Sequence, residues 1–270
     1  MTEPLAGVTR GEGTAVLLVH GYAVDHRILL PLEPAFDRHP APWERVYVDL
    51  PGHGASPSDP AIRSADDIAA ALDRFVDERF GDRPFAVVGG SFGGVLARRL
   101  VARRGAQVLG IALLSPSAEP VLRRTLPPRE VRVRDEAMMA SLSPLDAVDF
   151  DEMVVVQTPE VWARYREFVQ PGVRAANGDL LERVGDRPSV AERPEDAFER
   201  FERPGLMVVG RQDHVVGFAD QLALAPHYPR MTIAVLDGAG HNAHIERPAV
   251  VDALFMDWLD AVTAEGPAAG

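Results

Sequence analysis

Six strand-length apolar runs, most of them followed by a helix-length segment, constrain this chain more than any other feature. They are residues 14–19 (TAVLLV), 45–49 (RVYVD), 85–88 (FAVV), 108–114 (VLGIALL), 205–209 (GLMVV) and 231–236 (MTIAVL). Strands that are apolar nearly throughout, rather than alternately apolar and polar, are covered on both faces, as in parallel sheets flanked by helices. The intervening segments read as helices. Residues 64–80 open on Ser64, a capping residue, with Asp67 three positions on, and Ile68, Ala71, Leu72, Phe75 and Val76 recur at helical spacing. Residues 91–104 and the region near 248–262 read as further helices. The alternation predicts an α/β fold with a doubly wound, mostly parallel sheet.

The rhythm stops between residues 117 and 203. That stretch is rich in Arg, Glu, Ala and Pro, with helical segments near 130–142, 159–169 and 179–184. The run MVVV at 153–156 has acidic and turn-forming flanks and reads as part of a helix. Two units are expected: a core of residues 1–116 and 204–270, and a mostly helical cap of residues 117–203 inserted after the fourth clear strand.

Composition removes several functional classes. With 28 basic against 40 acidic residues the formal charge is −12. Such a surface repels phosphate backbones and anionic lipid, so neither nucleic acid nor membrane is expected as a partner. Cysteine is absent, which excludes disulfides, thiolate nucleophiles and cysteine-bound metals and fits a reducing cytoplasm, the expected location. All 28 basic residues are arginine. Without lysine there is no internal Schiff base, no lysine-bound pyridoxal phosphate and no standard phosphate-loop lysine. The opening MTEPLAGVTRGEG has no basic stretch leading into an apolar run, so no signal peptide is expected, and no apolar run is long enough to span a bilayer.

The nucleophiles that remain include serine, and one serine has the right setting. Gly89-Gly90-Ser91-Phe92-Gly93 fits G-x-S-x-G between an apolar strand and a helix. A sharp strand-to-helix turn exposes the hydroxyl, and glycines on either side let the backbone crowd closely. The following helix aims its positive end at the site, where an oxyanion would develop.

A serine nucleophile needs a base and an acid. Among the eight histidines, His241 lies just after the last strand and before the last helix, where a loop can bring an imidazole over the nucleophile. His244 is its main rival. His20 and His53 are expected to make structural hydrogen bonds, and His26, His39, His214 and His227 have no distinguishing context. Asp213 follows a buried strand, so its carboxylate emerges at the sheet edge where sites form in open α/β folds. Its task would be to fix the imidazole tautomer and stabilise the imidazolium. Asp237, close to His241 in sequence, is the weaker alternative. The chain order is Ser91, Asp213, His241.

That order, together with the surrounding motifs, resembles the α/β-hydrolase family. His20-Gly21 resembles the family's oxyanion turn, Asp49-Leu-Pro-Gly-His-Gly-Ala-Ser56 its D-x-P-G-x-G-x-S loop, Gly210-Arg-Gln-Asp213 its acid turn, and Gly240-His241 with Glu246 and Pro248 its histidine loop. The resemblance covers roughly residues 14–115 and 205–259, with the insert placed like the family's helical lid. It implies an oxyanion hole made by the backbone N–H groups of Tyr22 and Phe92, whose side chains would face the pocket. The chain departs from the family in one respect: only about 13 residues precede the first clear strand, so the family's usual N-terminal hairpin is expected to be shortened.

The expected chemistry is acyl transfer to water through an acyl-enzyme at Ser91, with no metal and no organic cofactor. The expected partner is a small apolar ester or lactone. Thioester hydrolysis, carbon–carbon bond hydrolysis and cofactor-free perhydrolysis use the same residues, and a ligand-binding, receptor-like protein of this fold would keep them without turnover. The apolar residues Met138, Met139, Leu142, Phe150, Met153, Trp162, Tyr165 and Phe168 are expected to form mainly the core of the cap.

Overall fold

The structure is a computed structural model that describes residues 4–185 and 189–266. Among these residues nine strands run in chain order: β1 Gly7–Arg10, β2 Thr14–Val19, β3 Trp43–Val48, β4 Phe85–Gly90, β5 Val108–Leu114, β6 Val133–Arg134, β7 Val156–Gln157, β8 Gly205–Gly210 and β9 Met231–Leu236. Seven form one sheet in the order β1-β3-β2-β4-β5-β8-β9. Only β1 runs antiparallel, against β3; the other neighbours are parallel. From β2 the chain moves outward to β3, then crosses back to β4 on the other side of β2. Connections therefore diverge between β2 and β4, the switch point at whose carboxyl ends open α/β sheets place their sites.

Alternate strand residues enter two cores, as the pleat demands. Leu17, Val19, Val87, Leu113 and Val209 pack with helices Ala65–Phe80 and Phe92–Arg104. Val16, Leu18, Val88, Ala112 and Val208 pack with Phe36 of helix Glu33–Arg38 and with Phe255 and Trp258 of helix Pro248–Glu265. Ser64 caps the first long helix as its spacing predicts, its side chain accepting the Asp67 N–H at 3.2 Å.

Between β5 and β8 the chain adds no strand to this sheet. Its described residues form helices Glu136–Ser141, Pro144–Met153, Pro159–Phe168, Gln170–Ala175 and Gly178–Val184, with β6 and β7 paired to each other. Phe150 lies 5.1 Å from Trp162 and 5.2 Å from Tyr165 between ring centres, and this aromatic group joins the second of the two cores. Met138, Met139, Phe150 and Tyr165 are buried, with Leu142, Met153, Trp162 and Phe168 packed around them.

Two sequence readings change, and one strand is added. β1 (GVTR), exposed along its whole length, carries no apolar run to reveal it, so the fourth clear strand of the sequence is the fifth in chain order. Helix Pro144–Met153 went unread, since it buries only Phe150 and so has no apolar stripe; Ser143, capping the Asp146 N–H at 3.2 Å, starts it. The MVVV run is not helical throughout. The helix ends at Met153, and Val156 begins β7, drawn into extended backbone by pairing with Val133.

Candidate active site

Ser91 sits between the last residue of β4 and the first residue of helix Phe92–Arg104. Its backbone is at φ 49°, ψ −115°, a strained combination for a residue with a Cβ. Three hydrogen bonds hold it there. The Ser91 N–H donates to the Leu114 carbonyl at 2.9 Å, and its own carbonyl accepts from Gly94 at 3.0 Å and Ser117 at 2.9 Å. The flanking glycines are required by contact. A Cβ on Gly89 would stand 2.4 Å from the Gly93 carbonyl oxygen, and one on Gly93 only 2.1 Å from the Val19 oxygen.

The turn after β2 closes over this elbow. A Cβ on Gly21 would lie 3.2 Å from the Ser91 Cβ, so the His20-Gly21-Tyr22 backbone runs beside the nucleophile. Two buried imidazoles brace it. The Leu50 N–H donates to His20 Nε2 at 2.9 Å, so Nδ1 carries the proton and donates to the Gly21 carbonyl at 2.6 Å. The Ala23 N–H donates to His53 Nε2 at 3.0 Å, and His53 Nδ1–H donates to the Pro51 carbonyl at 2.8 Å. Burial, and then the neighbouring His53, hold His20 down at about 3, and burial also lowers His53. Both rings are neutral structural braces, as the sequence suggested.

Asp49 completes the brace. It accepts the His26 N–H at 3.0 Å, His26 Nδ1–H at 2.8 Å and the Ala55 N–H at 2.9 Å. Burial alone would raise this carboxyl, but the hydrogen bonds from His26 and Ala55 bring it to about 2. Asp25, His26 and Asp49 bring ligand-type atoms within 4.8 Å of one another. Their lone pairs already face Arg27, His26 and Ala55 donors, which makes the group a hydrogen-bonded clamp on the turn.

Asp213 and His241 meet at the far side of the same edge. Asp213 is fully buried three residues beyond β8. Its Oδ1 accepts the N–H groups of Val215 at 2.9 Å and Val216 at 3.0 Å, and its Oδ2 meets His241 Nδ1 at 2.9 Å. That leaves Nε2 as the imidazole nitrogen not engaged with the carboxylate. The rivals are committed elsewhere. His244, which burial lowers to about 4, donates from Nε2 to the Ile28 carbonyl at 2.8 Å. Asp237 is largely exposed and accepts from Gln212 at 2.8 Å.

Tyr22 and Phe92 stand on the two turns beside Ser91, their rings 5.9 Å apart and edge-on. Phe92 does not line open space. Its ring is buried in the core beneath the sheet, and Tyr22, half-buried, packs against it.

Sequence reasoning missed several groups at this edge. His26 and His214 have partners that spacing did not reveal, His214 Nε2–H donating to the Glu152 carbonyl at 2.7 Å. Among the described residues, the non-glycine residues with positive φ are Ala23, Ser91 and Ser115. They follow β2, β4 and β5, so backbone strain collects at one rim of the sheet, as it does at functional sites. Only Ser91 had a motif to mark it.

Sheet order, switch point and strained elbow define an α/β-hydrolase fold. The chain belongs to the alpha/beta hydrolase family, whose model matches residues 16–254. It is 29% identical over 246 residues to a 2-succinyl-6-hydroxy-2,4-cyclohexadiene-1-carboxylate synthase of Salmonella paratyphi C, covering 89% of this chain and 92% of that protein. It is 25% identical over 252 residues to a pimeloyl-[acyl-carrier protein] methyl ester esterase of Neisseria meningitidis, covering 92% and 94%. Among solved structures, an alpha/beta superfamily hydrolase from Oenococcus oeni superposes with a TM-score of 0.86 at 25% identity, covering 96% of each chain.

Proposed function

We propose that the protein is a serine hydrolase that cleaves a small carboxylic ester or lactone through an acyl-enzyme at Ser91. The observation that carries this reading is the buried Asp213 carboxylate bonded to His241 Nδ1 at 2.9 Å, on the same sheet edge as the strained Ser91. With Nδ1 held by the acid, His241 Nε2 takes the Ser91 proton as the hydroxyl attacks the carbonyl carbon. Asp213 stabilises the imidazolium that forms. The oxyanion rests on the backbone N–H groups of Tyr22 and Phe92, fixed donors that need no reorganisation. His241 then protonates the leaving group, and water repeats the cycle on the acyl-enzyme.

In this reading, residues 117–203 form a cap over a core of residues 1–116 and 204–270, and the substrate lies between them. One relative is named as an ester hydrolase and another as a synthase, so bond type is the quantity to measure. A panel of p-nitrophenyl esters, lactones and thioesters of graded acyl length, run on wild type and Ser91→Ala, tests the proposal. Turnover of at least one ester or lactone, abolished in the variant and matched by fluorophosphonate labelling of Ser91, is expected. Turnover that survives Ser91→Ala, or tight ligand binding with neither turnover nor labelling, would overturn it.

A further inference from the structure

Beside the Ser91–Asp213–His241 group lies a second buried carboxylate whose partners come from two distant parts of the chain. Glu246 ends the short helix Ala243–Glu246 and is 5% exposed. Its Oε2 accepts the Gly240 N–H at 2.6 Å. Its Oε1 accepts the N–H groups of Val155 at 2.7 Å and Val156 at 3.0 Å. Gly240 directly precedes His241, while Val155 and Val156 lead into β7, in the segment read above as the cap. One side chain thus bonds the loop that carries the imidazole to the piece of cap lying over it.

The surrounding contacts leave little slack. A Cβ on Gly240 would come within 3.0 Å of Val155 Cγ1, so the Val155 side chain rests directly on the histidine loop. Arg164, from the cap helix Pro159–Phe168, donates to the Ile245 carbonyl at 2.8 Å. On the other flank His214, next to Asp213, donates to the Glu152 carbonyl at 2.7 Å. Glu152 to Val156 is therefore fastened both to the acid loop and to the histidine loop. Burial, with the nearby Asp213 charge adding to it, raises Glu246 to about 7. Folding therefore works against its charged form, and stabilisation alone does not account for a carboxylate at this point.

We propose that Glu246 is a positioning residue that locks the His241 loop to the cap, so that the imidazole takes its working position only while Val155 and Val156 are seated. This rests on the reading of Ser91, Asp213 and His241 as the reacting group. Substrate pressing on the cap is thereby felt at the base, and cap opening loosens the base together with the lid.

The test compares full-length wild type, Glu246→Gln and Ser91→Ala. Glutamine keeps the size of the side chain and one acceptor oxygen, but it turns an N–H₂ toward backbone donors. With p-nitrophenyl acetate and butyrate, kcat per folded molecule should fall tenfold or more, toward the roughly 100-fold that a 1 Å misplacement costs, with KM changed only two- to threefold. Amide hydrogen exchange should accelerate at Gly240 and at Val155–Val156 together. A variant that melts lower but keeps wild-type kcat per folded molecule, or that speeds exchange at only one of the two segments, would refute the lock. If Ser91→Ala turns over like wild type, the hydrolase reading fails, and the exchange data still decide whether the two segments are coupled.

Discussion

Replacing Gly93 by alanine tests whether contact geometry at the elbow sets both stability and catalysis. The new Cβ would sit 2.1 Å from the Val19 carbonyl oxygen and 2.4 Å from that of His20. Both obstacles are backbone, so no side chain can swing aside. A tolerable carbon–oxygen contact requires the end of β2 and the turn behind it to retreat by roughly 1 Å from the elbow helix. Val19 pairs with Gly89 in the sheet, so the retreat also strains the β2–β4 ladder. Overpacking of this kind costs about 1–3 kcal/mol. The turn that retreats carries the Tyr22 amide, proposed above as an oxyanion donor, and a shift of that size there should lower kcat by about 10²-fold. Gly90→Ala is the control from the same motif. Its Cβ would meet only Leu29 Cδ2 at 3.7 Å, an ordinary contact, and Gly90 does not have positive φ. That change should be neutral, or stabilising by up to about 1 kcal/mol. Thermal melting and kcat/KM for p-nitrophenyl butyrate, measured on both variants, decide the matter. Equal melting temperatures and equal kcat/KM for the two would refute the reasoning.

Asp213→Asn keeps Oδ1 for the Val215 and Val216 amides but turns an N–H₂ toward His241 Nδ1, which forces the wrong tautomer; kcat should drop by up to about 10⁴-fold with the melting temperature little changed. Arg98 and Glu195 form a fully buried pair at 2.7 Å, and Tyr228 also donates to that carboxylate, at 2.9 Å. Arg98→Ala leaves the buried Glu195 charge only Tyr228 and the longer 3.4 Å contact to the more exposed Arg193, and should cost about 3 kcal/mol, lowering the melting temperature by on the order of 10 °C. Glu246 rises from 4.5 in the unfolded chain to about 7 in the folded one. Its contribution to stability is therefore full below 4.5 and is lost as pH climbs through about 7, amounting to about 3 kcal/mol. Urea unfolding at pH 5 and pH 8 should show wild type losing most of that relative to Glu246→Gln; parallel pH dependence in the two proteins would contradict the buried ionisation.

What the sequence determined by itself was whatever local sterics and burial write in neighbouring residues. A parallel strand covered on both faces must be apolar along its length, so the six runs announced the sheet. The elbow needs small residues at fixed offsets from one serine, so Gly89 and Gly93 announced the turn that the contacts around Val19 and Gly93 now explain. Asp213 and His241, whose side chains meet at 2.9 Å, were singled out because each lies in the loop after a strand of the sheet. Strand β1 and helix Pro144–Met153 were not, because neither buries an apolar stripe. The tertiary structure alone decided the pairings between distant polar groups. Glu246 meets Val155 across 91 residues of chain, and Arg98 meets Glu195 across 97. A hydrogen bond depends on where two atoms finally stand, and no periodicity records that; only the folding of the β5–β8 segment onto the sheet edge brings those donors and acceptors within reach.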